Sequence, residues 1–352
     1  MNTGTQNSIS TIASTSAMRR AWAALRERRL ARPPSDALWS YSRDINQRLP
    51  ALRVQLQADQ FQFSPVQQIC LRDGTWVSRY EPEDQLVLSR LQEVLFPLCQ
   101  QRFNLSSACH LKGQGGLKGA VKQAKRYAQR NRFVFKTDIA NFYESIDHII
   151  MQQQMNQAVK DQRVRRLVWD SMERLHVCNG EYRHVKTKGI SRGCSLSPLM
   201  GAVYLTPLDA YAKENKLDYV RYMDDILFFT KTRHKLKKVI RDVYPILNQL
   251  KLTLADDKTW IGRVAKGFDY LGYRIAENEL TVAQRSFQRM TARLHQRLAQ
   301  GESTTRLVSY VKNWLRWAQS GVVLDKERLV KTIKNILQNT LGFHQASVLL
   351  PD

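Results

Sequence analysis

No uninterrupted apolar run in this chain approaches the roughly 18–20 residues that cross a bilayer. Residues 1–17 are rich in Ser, Thr, Asn and Gln and lack the apolar core of a secretory signal. They read as a short disordered tail, on a protein expected to stay in the cytoplasm with no membrane contact. Cysteine is sparse: Cys70, Cys99, Cys109, Cys178 and Cys194 are odd in number, widely spaced and free of any C-x-x-C pair. That argues against a zinc site and against a disulfide framework, and leaves buried thiols as the expectation. Internal repeats and long linkers are absent. Acidic residues are few beside basic ones, 31 against 55 over 352 residues, for a formal net charge of +24.

A positive surplus of that size calls for a polyanionic partner, nucleic acid first and an anionic membrane surface second. The cations run from Arg19 to Lys334 rather than sitting in one tail. That favours a long cleft lined by the fold, the plain alternative being a generally basic soluble protein.

Hydrophobic spacing predicts a basic helix over 18–31, ended by Arg32-Pro33-Pro34. A second helical stretch, capped by Ser35 or Asp36, is broken at Pro50 and resumes toward Gln57. Arg72-Asp73-Gly74-Thr75 reads as a hairpin turn between two short strands. Pro82-Glu83-Asp84 opens an apolar-periodic helix. Phe133 to Asp138 reads as a buried strand ending in an acid, followed by a helix over 149–168 and another over 197–209. Residues 218–229 form a strand–turn–strand hairpin with acids at its tip. A helix over 234–250, short strands at 252–255 and 270–275, and helices from Ala283 onward complete the chain. The class is α+β: a small antiparallel sheet backed by helices, then a helical bundle.

Tyr222-Met223-Asp224-Asp225 carries the chemistry. Two adjacent acids at the tip of an apolar hairpin repel each other and need a compensating cation. Carboxylate oxygens suit a hard divalent one. Phosphoryl transfer from a nucleoside triphosphate uses two metals about 3.5–4 Å apart, which needs a third acid from a neighbouring strand. Asp138 supplies it. A lone Asp-Asp pair would instead read as a solvated turn; the flanking apolar strands count against that.

These blocks resemble the reverse transcriptase family, in the right order from about Gln60 to Tyr273. Tyr222 to Asp225 is similar to its Y-x-D-D box. Lys136-Thr137-Asp138-Ile139-Ala140-Asn141-Phe142-Tyr143 resembles the first catalytic block of group II-intron-like bacterial members. The resemblance implies a right-hand polymerase: a tail over 1–17, an extension and fingers over 18–132, a palm over 133–276 and a helical thumb over 277–352. It implies two Mg²⁺ ions, with Mn²⁺ as a substitute, held by Asp138, Asp224 and the Ile139 carbonyl, with Asp225 in a supporting part. Tyr143 falls at the ribose gate, which selects deoxynucleotides. The alternative is an ordinary core aromatic.

Gly189 to Pro198 resembles the family's G-x-P-Q-G…S-P block, with Gly193 and Arg192 beside the incoming dNTP. Ser191 stands where Pro is usual and Arg192 where Gln is usual, so substrate handling differs or Arg192 is a surface cation. Lys258, in Ala255-Asp256-Asp257-Lys258-Thr259, resembles the lysine that approaches the leaving pyrophosphate. Gly272 resembles the primer-grip glycine, against a plain bulge. Arg72, or Arg79 shortly after the turn, resembles the fingers contact to triphosphate. Lys112 lies in a Gly-rich segment like the family's template-binding stretch, without a Walker Lys-Ser/Thr pair.

Two basic stripes are legible without the resemblance. Lys118, Lys122 and Arg126 recur every four residues, as do Arg285, Arg289, Arg293 and Arg297. The second stripe is backed by Phe287, Met290, Leu294 and Leu298, with Trp314 assigned to the core of the next helix. Such a ridge suits a grip on duplex phosphates, and a solvated face is the alternative.

The expected activity is DNA synthesis on an RNA template through an RNA/DNA heteroduplex. Template-independent or protein-primed synthesis and a non-catalytic RNA-binding module stand as alternatives. The layout is similar to stand-alone bacterial members, several of which act in antiphage defence beside a dedicated non-coding RNA. A mobile-element role is the other option.

Overall fold

The computed structural model describes residues 9–70, 76–184, 187–320 and 322–341. Four helices come first, α1 (Ile9–Ile12), α2 (Thr15–Glu27), α3 (Ala37–Arg43) and α4 (Ile45–Gln57). The tail expected over 1–17 is thus helical from Ile9 on. Ile9, Ile12 and Ala13 are buried, and the Ile9 amide donates to Asp161 at 3.3 Å. Their i, i+3, i+4 spacing is an apolar face that the polar composition around it conceals. Asp36 caps α3 by accepting from the Leu38 amide at 3.0 Å. The break expected at Pro50 falls at Asp44 instead. Pro50 lies inside α4 on its exposed face, where the one lost backbone bond is open to water.

Next come β1 (Val66–Cys70) and β2 (Trp76–Arg79), antiparallel with Cys70 opposite Trp76. The turn expected between them, with Arg72, lies outside the described residues. α5 (Pro82–Phe103) starts on Pro82 with Glu83 and Asp84 in its first turn, and Asn104 at φ 52° ends it. Then follow α6 (Gly116–Ala128), β3 (Phe133–Thr137), α7 (Phe142–Ser145), α8 (His148–Ala158) and α9 (Gln162–Met172). The single helix expected over 149–168 is two, because Asp147 and Asp161 each cap a separate start. An unexpected hairpin, β4 (Leu175–Cys178) and β5 (Glu181–His184), precedes α10 (Ser197–Tyr204) and α11 (Thr206–Glu214). The rest is β6 (Asp218–Tyr222), β7 (Asp225–Thr230), α12 (Arg233–Gln249), β8 (Trp260–Arg263), β9 (Phe268–Tyr270), β10 (Tyr273–Ile275), β11 (Leu280–Val282), α13 (Gln284–Ala299), α14 (Thr304–Gln319) and α15 (Lys326–Leu341). The strand expected at 252–255 is reduced to one bridge, Leu254 to Ile139.

The chain forms two compact units that do not follow the contiguous division expected above. One comprises 1–111, 139–211 and 243–255, the other 112–138, 212–242 and 256–352. In the first, α5 threads the core with Leu86, Val87, Leu91, Leu95 and Cys99 fully buried. Its sheet runs β2-β1-β4-β5, with β1 and β4 parallel. Asp84 and Arg174, both buried, form an ion pair. The guanidinium also lies 4.7 Å from the Phe63 ring centre and donates to the Ser64 carbonyl at 2.7 Å. Removing either partner would strand a buried charge. Among the cysteines only Cys99 and Cys109 are the buried thiols expected; all five are free.

The second unit is built on an antiparallel sheet in the order β6-β7-β3-β8. Phe135 and Phe228 stack across β3 and β7 at 6.2 Å. α6 packs on β6 through Ala120, Val121, Ala124 and Ala128, small enough for close approach. A second sheet, β11-β10-β9, contains the two-residue turn Leu271-Gly272, with φ of 48° and 87°. A Cβ at Gly272 would stand 2.9 Å from the Trp317 ring, so the turn and the packing both require glycine. Helices α13, α14 and α15 close this unit.

Candidate active site

Strand register assembles the acids. Thr137 pairs with Ile226 across β3 and β7, so Asp138 follows in register beside Asp225. Antiparallel neighbours stand about 4.5–5.5 Å apart at Cα. Tyr222 pairs with Asp225 across a two-residue turn, Met223-Asp224, in which Met223 takes φ 56°. Arg221, wholly buried beneath this turn, donates to the Met223 carbonyl at 3.5 Å. Sequence reasoning missed Arg221; its one signal was a cation inside a strand next to apolar Tyr219 and Val220.

Asp138 is 8% exposed. Its Oδ2 accepts from Lys258 Nζ at 3.1 Å, while its Oδ1 is buried with no hydrogen-bond partner. The turn that carries Lys258 is held by Thr259, whose hydroxyl lies 2.8 Å from that of Thr137. The bond to Asp138 raises the Lys258 pKa, with Asp224 and Asp225 adding to it. Burial pushes the Asp225 carboxyl up to about 6, helped by the charges of Asp138 and Asp224. Lys136, two residues before Asp138 on the same face of β3, opposes that rise.

Among the described residues, no three carboxylate, histidine or cysteine side chains stand ready as a metal cage. The donor chemistry nevertheless fits a hard divalent cation. The side-chain donors are carboxylate oxygens, one is buried and unpartnered, and Lys136 and Lys258 supply the nearby positive charge.

An open cavity of about 940 Å³ brings several expected residues together: Asp138, Asp225, Lys258, Gly272, Arg285, Arg289 and Arg293. It also takes in Tyr310, Trp314 and Trp317, which sequence reasoning missed as site residues. Trp314, expected in the core, is only half-buried and lies tilted at 5.8 Å from Trp317. Arg297 turns away to Glu302 at 3.2 Å and lies over Tyr310. Leu298, expected on the packing side, is 37% exposed.

The stripe on α6 divides. Lys122 and Arg126 are exposed, as is Lys112. Lys118 is not part of a free basic face. Its ammonium sits 4.6 and 4.7 Å from the ring centres of Tyr273 and Trp317 and donates to the Tyr273 hydroxyl and the Trp317 carbonyl. A four-residue repeat fixes a helix face but not what covers it.

The remaining candidates belong to the other unit. Ile139 is buried. Tyr143 is half-buried at 5.2 Å from Phe142. Arg192 pairs with Glu144 at 2.9 Å on the surface. The loop carrying Arg192 and Gly193 is tied down at the two residues that precede them. The Ile190 amide donates to the Tyr143 carbonyl at 2.8 Å. The Ser191 hydroxyl meets His176 Nε2 at 2.9 Å, and His176 Nδ1 lies 3.2 Å from the Gln68 amide. Arg79 and Gly193 share a cavity of about 600 Å³ with Arg29 and Arg32, neither of which was singled out from sequence.

An acidic cluster, partly buried and flanked by Lys136 and Lys258, faces a cavity walled by arginines and defines a centre for a polyanionic substrate. Residues 40–275 match the family described as Reverse transcriptase (RNA-dependent DNA polymerase), and the chain belongs to that family. It is 24% identical to Protein YkfC of Escherichia coli (strain K12) over 181 residues, covering 42% of this chain and 47% of that protein. It is 26% identical to Group II intron-encoded protein LtrA of Lactococcus lactis subsp. cremoris over 137 residues, 39% of this chain and 21% of the relative. A third match, 21% over 290 residues, is to the Putative COX1/OXI3 intron 2 protein of Saccharomyces cerevisiae, covering 64% of this chain and 34% of that one. The chain spans less than half the length of each of these relatives.

Proposed function

We propose that this chain copies RNA into DNA by two-metal nucleotidyl transfer, with Mg²⁺ as the ordinary ion and Mn²⁺ as a substitute. The observation that carries the reading is Asp138 in register beside Asp225, with one buried carboxylate oxygen of Asp138 unpartnered. Asp138 and Asp224 would hold both ions, with the Ile139 carbonyl and Asp225 in support. The ions supply a lowered pKa at the primer 3′-hydroxyl and a neutralised charge on the triphosphate.

The protein's own side chains do the rest. Lys258 holds a proton beside the acids, at a place suited to the departing pyrophosphate. Arg285, Arg289 and Arg293 grip the RNA/DNA duplex through its phosphates from α13, the first thumb helix. Gly272 and its turn meet the primer strand. Tyr143 screens the sugar, while Arg79, Arg192 and Gly193 attend the dNTP. In this reading β3, β6, β7 and β8 form the palm, and the β1–β2 hairpin belongs to the fingers. A dedicated non-coding RNA in antiphage defence, in the cytoplasm, is the biological setting that family analogy favours.

Asp224→Ala tests the centre. It should abolish dNTP incorporation on a primed RNA template while the circular dichroism spectrum and melting temperature stay near wild type. Retained incorporation would remove the assignment. Sequencing the RNA and cDNA that copurify tests the setting, and a random host RNA pool would remove the dedicated template.

A further inference from the structure

One strongly charged surface has no part in the centre described above. Residues 231–241 carry six cations, Lys231, Arg233, Lys235, Lys237, Lys238 and Arg241, and no acid. All six are exposed, whereas Leu236 and Val239 are buried. Lys237, Lys238 and Arg241 project from the side of α12 opposite those two apolar residues, as its 3.6-residue period requires. Lys231, Arg233, Lys235, Lys237 and Lys238 have no ion-pair partner among the described residues. Arg241, itself well exposed, meets its sequence neighbour Asp242 at 3.3 Å.

This arrangement works against the helix that carries it. Thr232 accepts from the Lys235 amide at 3.2 Å, so α12 begins at Arg233 and the first turn holds Arg233 and Lys235. Cations are disfavoured at that end, where the helix dipole is already positive. The two positive contributions together make a site for an external polyanion. The surface is also remote from the acids. α12 follows the far end of β7, whose run from Asp225 to Thr230 spans roughly 17 Å at 3.4 Å per residue. None of the six cations lines the catalytic cavity.

We infer that the outer face of α12 is a second nucleic-acid surface, which docks the phosphate backbone of a folded RNA outside the catalytic cleft. The choice of RNA as occupant rests on the reverse-transcriptase reading. The absence of an exposed apolar residue between the cations disfavours a membrane, since an interfacial helix needs apolar side chains to insert. Phosphates need only accessible charge. Lys237, Lys238 and Arg241 on the outer side, with Lys235 on its flank, suit phosphates of a stem laid across about two turns of the helix.

The test is a quadruple variant, Lys235→Gln, Lys237→Gln, Lys238→Gln and Arg241→Gln, in the full chain. The probe is an RNA stem–loop with a blocked 3′ end, titrated across a salt series. Affinity near physiological salt should fall about tenfold or more. The slope of log affinity against log salt should become shallower by roughly 2–4, as expected for two to four lost phosphate contacts. Extension of a short pre-annealed primer on an RNA template should be unchanged at saturating substrate. Unchanged affinity and slope would overturn the surface. So would a loss of binding to phosphatidylserine vesicles with RNA binding intact. The RNA titration decides the surface whether or not the wild type extends a primer, so a failure of the polymerase reading registers separately.

Discussion

Lys258 Nζ stands 3.1 Å from Oδ2 of Asp138, on the carboxylate whose other oxygen is buried and unpartnered. One lysine thus meets an acid that, on the proposed reading, must serve a metal, and its ammonium must give way when the ion binds. Lys258→Gln should lower kcat by roughly 10²-fold, the scale of a lost general acid, with a smaller change in KM for dNTP. It should also leave divalent-ion affinity unchanged or tighter, measured calorimetrically without nucleic acid. A pure KM effect would make Lys258 a binding residue only.

Asp225 gives the metal-free protein a pH signature. Its folded pKa of about 6 lies above the ordinary carboxylate value. The native state therefore holds a proton that the unfolded chain has released between about pH 4 and 6. Stability from this group is full below the unfolded pKa and is lost as pH rises through about 6. The loss is at most about 3 kcal/mol, less the solvent screening of a half-exposed group. Melting curves in chelator should show it, and Asp225→Asn should flatten that part of the profile. An Asn variant with the wild-type profile would place the titration elsewhere.

The loop that presents Arg192 and Gly193 hangs on Ser191, a residue found where the family usually has Pro. Its hydroxyl meets His176 at 2.9 Å, and His176 meets Gln68 at 3.2 Å. His176 is a positioning residue on this account. His176→Ala should raise KM for dNTP several-fold with little change in kcat or melting temperature, and His176→Gln, which can still bond Ser191, should recover most of it. Equal loss in both variants, or a fall in melting temperature alone, would reduce the contact to packing.

The acids were legible because two local rules coincide. A two-residue turn between apolar strands fixes Asp224 and Asp225, and strand pairing then fixes Asp138. Other features needed three dimensions. Lys118 sits on a clear helical stripe, yet two rings from distant segments cover it. Trp314 has the spacing of a core residue but is half-buried and lines a cavity. The β4–β5 hairpin has strands half-buried or exposed, so periodicity was silent. Its Asn179-Gly180 turn, with φ of 52° and 85°, was nonetheless a readable signal.

Each of the two compact units is stitched from three separate stretches of chain. The first needs residues up to 255 before its last strip of core exists, and the second begins at 112 but waits for everything beyond 256. Neither can be obtained as a contiguous fragment, and the second cannot finish during synthesis until the whole of the first has been made. Much of the contact network closes late and over long sequence separations, which slows folding and keeps apolar surface exposed on the ribosome. Dissection of this protein should therefore proceed by point substitution, since a truncation at either end leaves one unit without one of its three stretches.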